Sequence, residues 1–145
     1  MGQVKRASMR WTGENLDLSA TLGSGYQFDM SSPVHGGNGG NPMEFLLAAA
    51  AACTAMDVLY VLKRARQEIT GLHVEIEGEQ GDRYPQTYKT GKIIYTIRGV
   101  DINPKTVERA IKLSQEVYCA ASIMLKEAGM ALETEYRIEQ EDAEE

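Results

Sequence analysis

Apolar and polar positions alternate over residues 4–11 and again over 15–22, where Leu16, Leu18 and Ala20 are separated by polar neighbours. A period of two predicts half-buried strands. Thr12-Gly13 between the two runs suits a hairpin turn, and Gly23 and Gly25 frame a second turn before a third strand over residues 26–30. A glycine-rich loop fills residues 31–41. Pro42 then stands where helices accept a proline, in the first turn. A helix is predicted from there to about residue 67, with Lys63, Arg64 and Arg66 at the pole that favours cations.

The second half repeats the theme with other lengths. Leu72, Val74 and Ile76 alternate with His73, Glu75 and Glu77, which predicts a strand that turns His73 outward. Residues 92–98 form another, with Ile93, Tyr95 and Ile97 on one face, and residues 78–89 between them read as a polar turn region. Asn103-Pro104 opens a helix in which Val107, Ile111 and Ser114 share a face. Cys119 opens a second, short helix that runs to Ala128 and is closed by Gly129. Leu132, Thr134, Tyr136 and Ile138 mark a last strand. The order βββαββααβ is an α+β plan, an antiparallel sheet with helices packed on it. Residues 1–140 are expected to form a single domain, and residues 141–145 an acidic tail.

Composition narrows the possible functions. Apolar residues are 43% and charged residues 25% of 145, a globular balance that argues against disorder. The net charge of −6 is carried by residues 133–145, which hold seven acids and one base. The chain therefore has no cationic excess for a nucleic-acid backbone, and no nucleic-acid partner is expected. The longest uncharged apolar run, residues 45–56, is shorter than the roughly 20 residues that cross a bilayer. No membrane partner is expected. The first residues carry bases without an apolar signal core, which points to the cytoplasm. In that reducing compartment a purely structural disulfide is rare.

The stretch from Phe45 to Met56 contains five consecutive alanines, Ala48 to Ala52, so that helix is smooth and apolar on every face. Such a helix needs burial on all sides, and a chain this short cannot enclose it alone. A second copy of the chain is the simplest cover. Cys53 sits in this helix and Cys119 begins a helix, where free backbone N–H groups favour a thiolate. Either cysteine can be an inert core residue. Together, each flanked by small residues, they also suit a reversible dithiol/disulfide pair. Glu44, nine residues before Cys53, lies about 13.5 Å away along a straight helix and on its opposite face. A carboxylate there also suits a helix N-terminus. Asp57 falls one turn after Cys53 on the same face and reads as a polar partner for a basic group. His35 in the glycine loop reads as a proton handler or a plain loop residue. No phosphate-binding motif is present.

Residues 36–57, GGNGGNPMEFLLAAAAACTAMD, resemble the first cysteine motif of the OsmC/Ohr family, the osmotically inducible and organic hydroperoxide resistance proteins. Residues 113–120, LSQEVYCA, resemble the second, and Trp11-Thr-Gly and residues 71–78 match as well. The Cys-Thr-Ala-Met-Asp form is nearest the OsmC-like branch. The resemblance implies an intertwined α+β homodimer with a long central buried helix and active sites at the subunit interface. It implies a thiol-dependent peroxidase in which Cys53 attacks an organic hydroperoxide and Cys119 resolves the sulfenic acid to a disulfide. A dithiol, lipoyl-type in some members, is the implied reductant, and no cofactor or metal is implied. Glu44 matches the second position of the family's acidic pair. The arginine that holds the thiolate in the family's peroxidases has no counterpart between Trp11 and Lys63, so Arg10 is the expected substitute. Cys119-Ala120 also stands where the family often has Cys-Pro. That gap leaves a rival reading, a non-catalytic dimer that binds an apolar small ligand at its interface. A metal shared by Cys53, Cys119 and a histidine is a third.

Overall fold

A computed structural model of the chain describes residues 2–32, 34, 37 and 39–143. Two compact units divide it, Met1–Leu46 and Leu47–Glu145. In the first, β1 (Ala7–Trp11), β2 (Leu18–Leu22) and β3 (Gln27–Met30) form an antiparallel sheet in the order β1-β2-β3. All of β1 is exposed, whereas Ala20 in the middle strand is buried. Asp17 ties the following loop together. Its carboxylate accepts hydrogen bonds from Ser31 Oγ at 2.5 Å and the Gly37 backbone N–H at 2.9 Å. These two donors hold the Asp17 carboxyl below its usual range. Gly39 takes φ +114° against β3, where a Cβ would stand 2.7 Å from the Asp29 carbonyl oxygen. Only glycine fits that approach.

Helix α1 (Pro42–Arg64) begins with a capping box. Asn41 Oδ1 accepts the Glu44 backbone N–H at 3.1 Å, and Glu44 Oε1 accepts from Asn41 N at 3.1 Å and Nδ2 at 2.8 Å. Pro42 occupies the first helical position, as its missing N–H allows. The helix stops at Arg64, slightly short of the expected residue 67, because Arg66 takes φ +60°.

The second unit holds β4 (Glu68–Gln80), β5 (Tyr88–Val100), α2 (Pro104–Leu113), a π-helical turn (Ser114–Tyr118), α3 (Ala120–Glu127) and β6 (Ala131–Glu141). β4 and β5 run well into the expected turn region, to Gln80 and from Tyr88, and leave a shorter hairpin between them. Their pairing is antiparallel, with bulges between Ile69 and Gly71 and between Glu79 and Gln80. One strand departs from the antiparallel expectation: β6 pairs parallel to β5 along its whole length. A parallel neighbour needs a long crossover, and α2 and α3 supply it. Met130 N–H bonds back to the Leu125 carbonyl at 3.1 Å, and Gly129 at φ +109° completes this left-handed stop of α3.

The core lies in this unit. Val58 and Leu62 of α1, Ile93, Tyr95 and Ile97 of β5, and Val107, Ala110 and Ile111 of α2 form it, with Ile102 from the β5–α2 connection. His73 is exposed, as the alternation of β4 predicts. In α1 the burial follows one stripe, Ala50, Thr54, Val58 and Leu62, spaced one turn apart. The alanine-smooth helix is thus covered on one face by its own chain. Met56 and Tyr60 on other faces stay 70% and 62% exposed. With Val58 to Leu62 added beyond Asp57, α1 is long and apolar enough by composition to cross a membrane, which the uncharged run alone did not suggest. Its buried stripe and the bonding of Asp57 described below place it against the protein core.

Candidate functional site

Two helix segments bring the reactive groups together. Cys53 and Asp57 stand one turn apart on α1, so they share a face. Cys119 is the N-cap of α3, with extended backbone at φ −80° and ψ 90°. The π-helical turn delivers it there, its N–H bonding the Ser114 carbonyl at 2.7 Å. The Cys53 sulfur, the Cys119 sulfur and an Asp57 carboxylate oxygen all lie within 4.8 Å of one another. Both cysteines are free thiols, Cys53 half-buried and Cys119 fully buried.

Cys119 is braced from three sides. Its thiol contacts Ser122 Oγ at 3.1 Å and the Ala50 carbonyl at 3.9 Å, and its sulfur accepts the Ser122 backbone N–H at 3.5 Å. Burial pushes this thiol above its ordinary range, partly offset by its two hydrogen bonds with Ser122 and reinforced by neighbouring Cys53.

Behind the sulfurs runs a buried polar network. Ser114 Oγ donates to Asp57 Oδ2 at 2.9 Å. Thr54 Oγ1 lies 2.7 Å from Ser114 Oγ and 2.6 Å from Tyr95 OH. Gln115 Nε2 donates toward Thr54 Oγ1, Tyr95 OH and Ser122 Oγ at 3.1, 3.3 and 3.2 Å. Lys126 Nζ fixes the Gln115 backbone carbonyl at 2.6 Å. All five side chains, Thr54, Tyr95, Ser114, Gln115 and Ser122, are buried. Among the described residues no buried side-chain nitrogen or oxygen lacks a partner. Satisfied networks of this kind fix a single packing. Burial also raises the Tyr95 phenol above its usual range, against the lowering effect of Thr54 and Gln115.

Beside Asp57 opens a groove of about 650 Å³, lined by Met56, Tyr60, Val61, Arg64, Leu113 and Tyr118 as well as Asp57. Arg64 lies over the Tyr60 ring at 5.8 Å and donates to its hydroxyl at 3.3 Å.

Of the residues singled out from sequence, Cys53 and Cys119 meet. Asp57 joins them, but its partner is the Ser114 hydroxyl and not the basic group expected for it. Glu44 is engaged in the capping box of α1, and Arg10 is an exposed residue of β1 opposite Ser19. His35 lies outside the described residues. Thr54, Tyr95, Ser114, Gln115 and Ser122 were not read as part of a site. Thr54 carried a usable signal: it is the one polar residue of the buried stripe of α1. So did Ser114, a hydroxyl that continues the apolar face of α2 into the π-helical turn.

The OsmC-like protein family model matches residues 35–135. Protein YhfA of Escherichia coli (strain K12) is 32% identical over 127 residues, covering 85% of this chain and 90% of that protein. A crystal structure of a protein from Aquifex aeolicus VF5 superposes with a TM-score of 0.81 at 27% identity, covering 96% of this chain and 100% of the other. The organic hydroperoxide resistance protein OhrB of Bacillus subtilis has the same fold at a TM-score of 0.62 and 18% identity, with 93% and 98% covered. The chain belongs to the OsmC-like protein family.

Proposed function

We propose that this protein is a thiol-dependent peroxidase that reduces organic hydroperoxides, acting as a cytoplasmic homodimer. The observation that supports it best is the meeting of two free thiols, one half-exposed and one buried, with sulfurs within 4.8 Å. The half-exposed Cys53 is the group a hydroperoxide can reach. Its thiol takes the terminal oxygen, giving Cys53 sulfenic acid and the alcohol. The Cys119 thiol then condenses with the sulfenic acid, forming the disulfide and releasing water. A dithiol, lipoyl-type or similar, returns both cysteines to thiols and leaves as its own disulfide. The chemistry named for the Bacillus subtilis relative supports the substrate class. Arg10, of its own or the partner subunit, is proposed as the cation that favours the Cys53 thiolate, with Glu44 as its carboxylate partner; Arg10 is exposed in the single chain, so this role rests on assembly of the dimer.

The test is consumption of an alkyl hydroperoxide by the reduced protein with a dithiol present. One equivalent of peroxide per chain, with loss of both thiols, is expected in the absence of reductant. Intact thiols after excess peroxide would sink the reading. The second reading, a dimer that holds an apolar ligand without turnover, is favoured by the lack of any arginine between Trp11 and Lys63. It predicts ligand retention with unchanged thiols in the same assay.

A further inference from the structure

We propose that the reduced protein binds one Zn²⁺ per chain through Cys53 Sγ, Cys119 Sγ and an Asp57 carboxylate oxygen. The three ligand atoms already lie within 4.8 Å of one another, and all belong to the Leu47–Glu145 unit. A tetrahedral zinc with Zn–S of about 2.3 Å and Zn–O of about 2.0–2.2 Å sets neighbouring ligand atoms roughly 3.5–3.8 Å apart. Side-chain adjustments of about 1 Å bring the set to that geometry. Two sulfurs and one carboxylate form a soft donor set that selects zinc over magnesium or calcium. Cys53 and Asp57 are spaced i, i+4, which places two ligands of one helix on the same ion.

The surroundings are those of a built site. Ser114 Oγ donates to Asp57 Oδ2 at 2.9 Å and fixes that carboxylate, and the Ser122 backbone N–H and hydroxyl brace the Cys119 sulfur. Outer donors of this kind orient metal ligands. Three groups that can each carry negative charge converge here, and among the described residues no lysine or arginine forms an ion pair with Asp57. A divalent cation offsets their mutual repulsion. Half-buried Cys53 and the groove beside Asp57 leave a fourth position open to water or an exogenous ligand. Three protein ligands and one open position distinguish such a site from a closed structural one. The proposal does not depend on a hydroperoxide being the substrate.

The test uses the full chain, reduced and metal-free, under anaerobic conditions. Zn²⁺ is titrated in competition with a chromophoric chelator, and Co²⁺ serves as spectroscopic probe. Expected are one ion per chain, a thiolate-to-cobalt charge-transfer band and the intense visible bands of a tetrahedral centre. Bound zinc should also slow alkylation of Cys53 and Cys119 at least about tenfold. Asp57→Ala should weaken binding about tenfold or more and shift the cobalt bands, and Ser122→Ala should cost about tenfold through Cys119. Wild-type protein with both thiols blocked by N-ethylmaleimide provides a measurement that no folding defect of a variant can mimic, and it should bind no zinc at the stoichiometric site. Failure of the reduced protein to take up zinc, equal uptake by the blocked protein, or an Asp57→Ala variant with unchanged affinity and spectrum would each overturn the proposal. Peroxide consumption by metal-free protein is read separately, so either proposal can fail without the other.

Discussion

Ser114 and Asp57 are joined by a 2.9 Å hydrogen bond in which the hydroxyl gives its single proton to the carboxylate. This one bond orders the hydroxyls behind it. Having spent its proton, Ser114 can only accept from Thr54, at 2.7 Å. Thr54 then has none left for Tyr95, so the phenol donates to Thr54 at 2.6 Å. The chain Tyr95–Thr54–Ser114 therefore points its protons toward Asp57, beside the two sulfurs. Gln115, an amide donor, gives its protons to lone pairs of Thr54, Tyr95 and Ser122.

Thr54 is the hub of that order, so Thr54→Val should destabilise the fold by about 1–3 kcal/mol, the cost of stranding buried partners. Ser114 loses its donor, and Tyr95 loses the acceptor for its hydroxyl. Valine keeps the shape, so packing is nearly unchanged. Urea unfolding of the two proteins would check this, and equal midpoints at equal slopes would show that the network contributes nothing to stability.

Much of this arrangement was legible in the sequence, and the reason for the rest is physical. Strand alternation placed Ile93, Tyr95 and Ile97 on the core face, and Asn103-Pro104 and Gly129 marked helix ends, because these signals are local. The parallel docking of β6 on β5 was not readable, since strand direction is set by the crossover and not by side-chain period. Which stripe of α1 packs on the core was not readable, because five alanines look alike from every side while packing selects the stripe that carries Thr54 and Val58. Cys53 and Cys119 were found by type. The partnership of Asp57 with Ser114, 57 residues away, is a tertiary fact with no local trace.

Tyr95 should titrate abnormally. Its folded pKa lies above the ordinary value of about 10 because burial disfavours the phenolate. Between the unfolded and the folded value the unfolded state has lost the proton that the native state keeps, so stability falls as pH rises. The Tyr95 contribution is thus complete below about pH 10 and is lost above it. Phenolate absorbance should show a component that ionises above the ordinary tyrosine range, and Tyr95→Phe should remove its buried part. A native-state titration in which every tyrosine ionises near pH 10 would contradict the burial argument.

The open faces of α1 predict self-association. Met56 is 70% and Tyr60 62% exposed on a helix whose other face is core. Two large apolar side chains exposed one turn apart on a helix otherwise packed on the core predict an interface there. Light scattering should return twice the 16.0 kDa chain mass at micromolar concentration. Met56→Lys, harmless on a free surface, should shift the population toward monomer. A wild-type mass of one chain would remove the dimer from the proposed function.

The two cysteines should respond unequally to substitution, because exposure assigns them different work. Cys53 is half-buried and open to a hydroperoxide, whereas Cys119 is sealed beneath Ala50 and Ser122 with its thiol held in the protonated range. On the proposed peroxidase reading, attack belongs to Cys53, and Cys119 acts only after Cys53 has become electrophilic sulfenic acid. Cys53→Ser should abolish peroxide reduction. Cys119→Ser should complete one turnover per chain and then stall, since no second thiol converts the sulfenic acid to a disulfide. Mass spectrometry of that variant after excess peroxide should find Cys53 carrying two or three oxygens, while the wild type carries the disulfide. Equal residual turnover in both variants would reverse or dissolve the assignment, and it would do so without disturbing the observation that the two sulfurs meet.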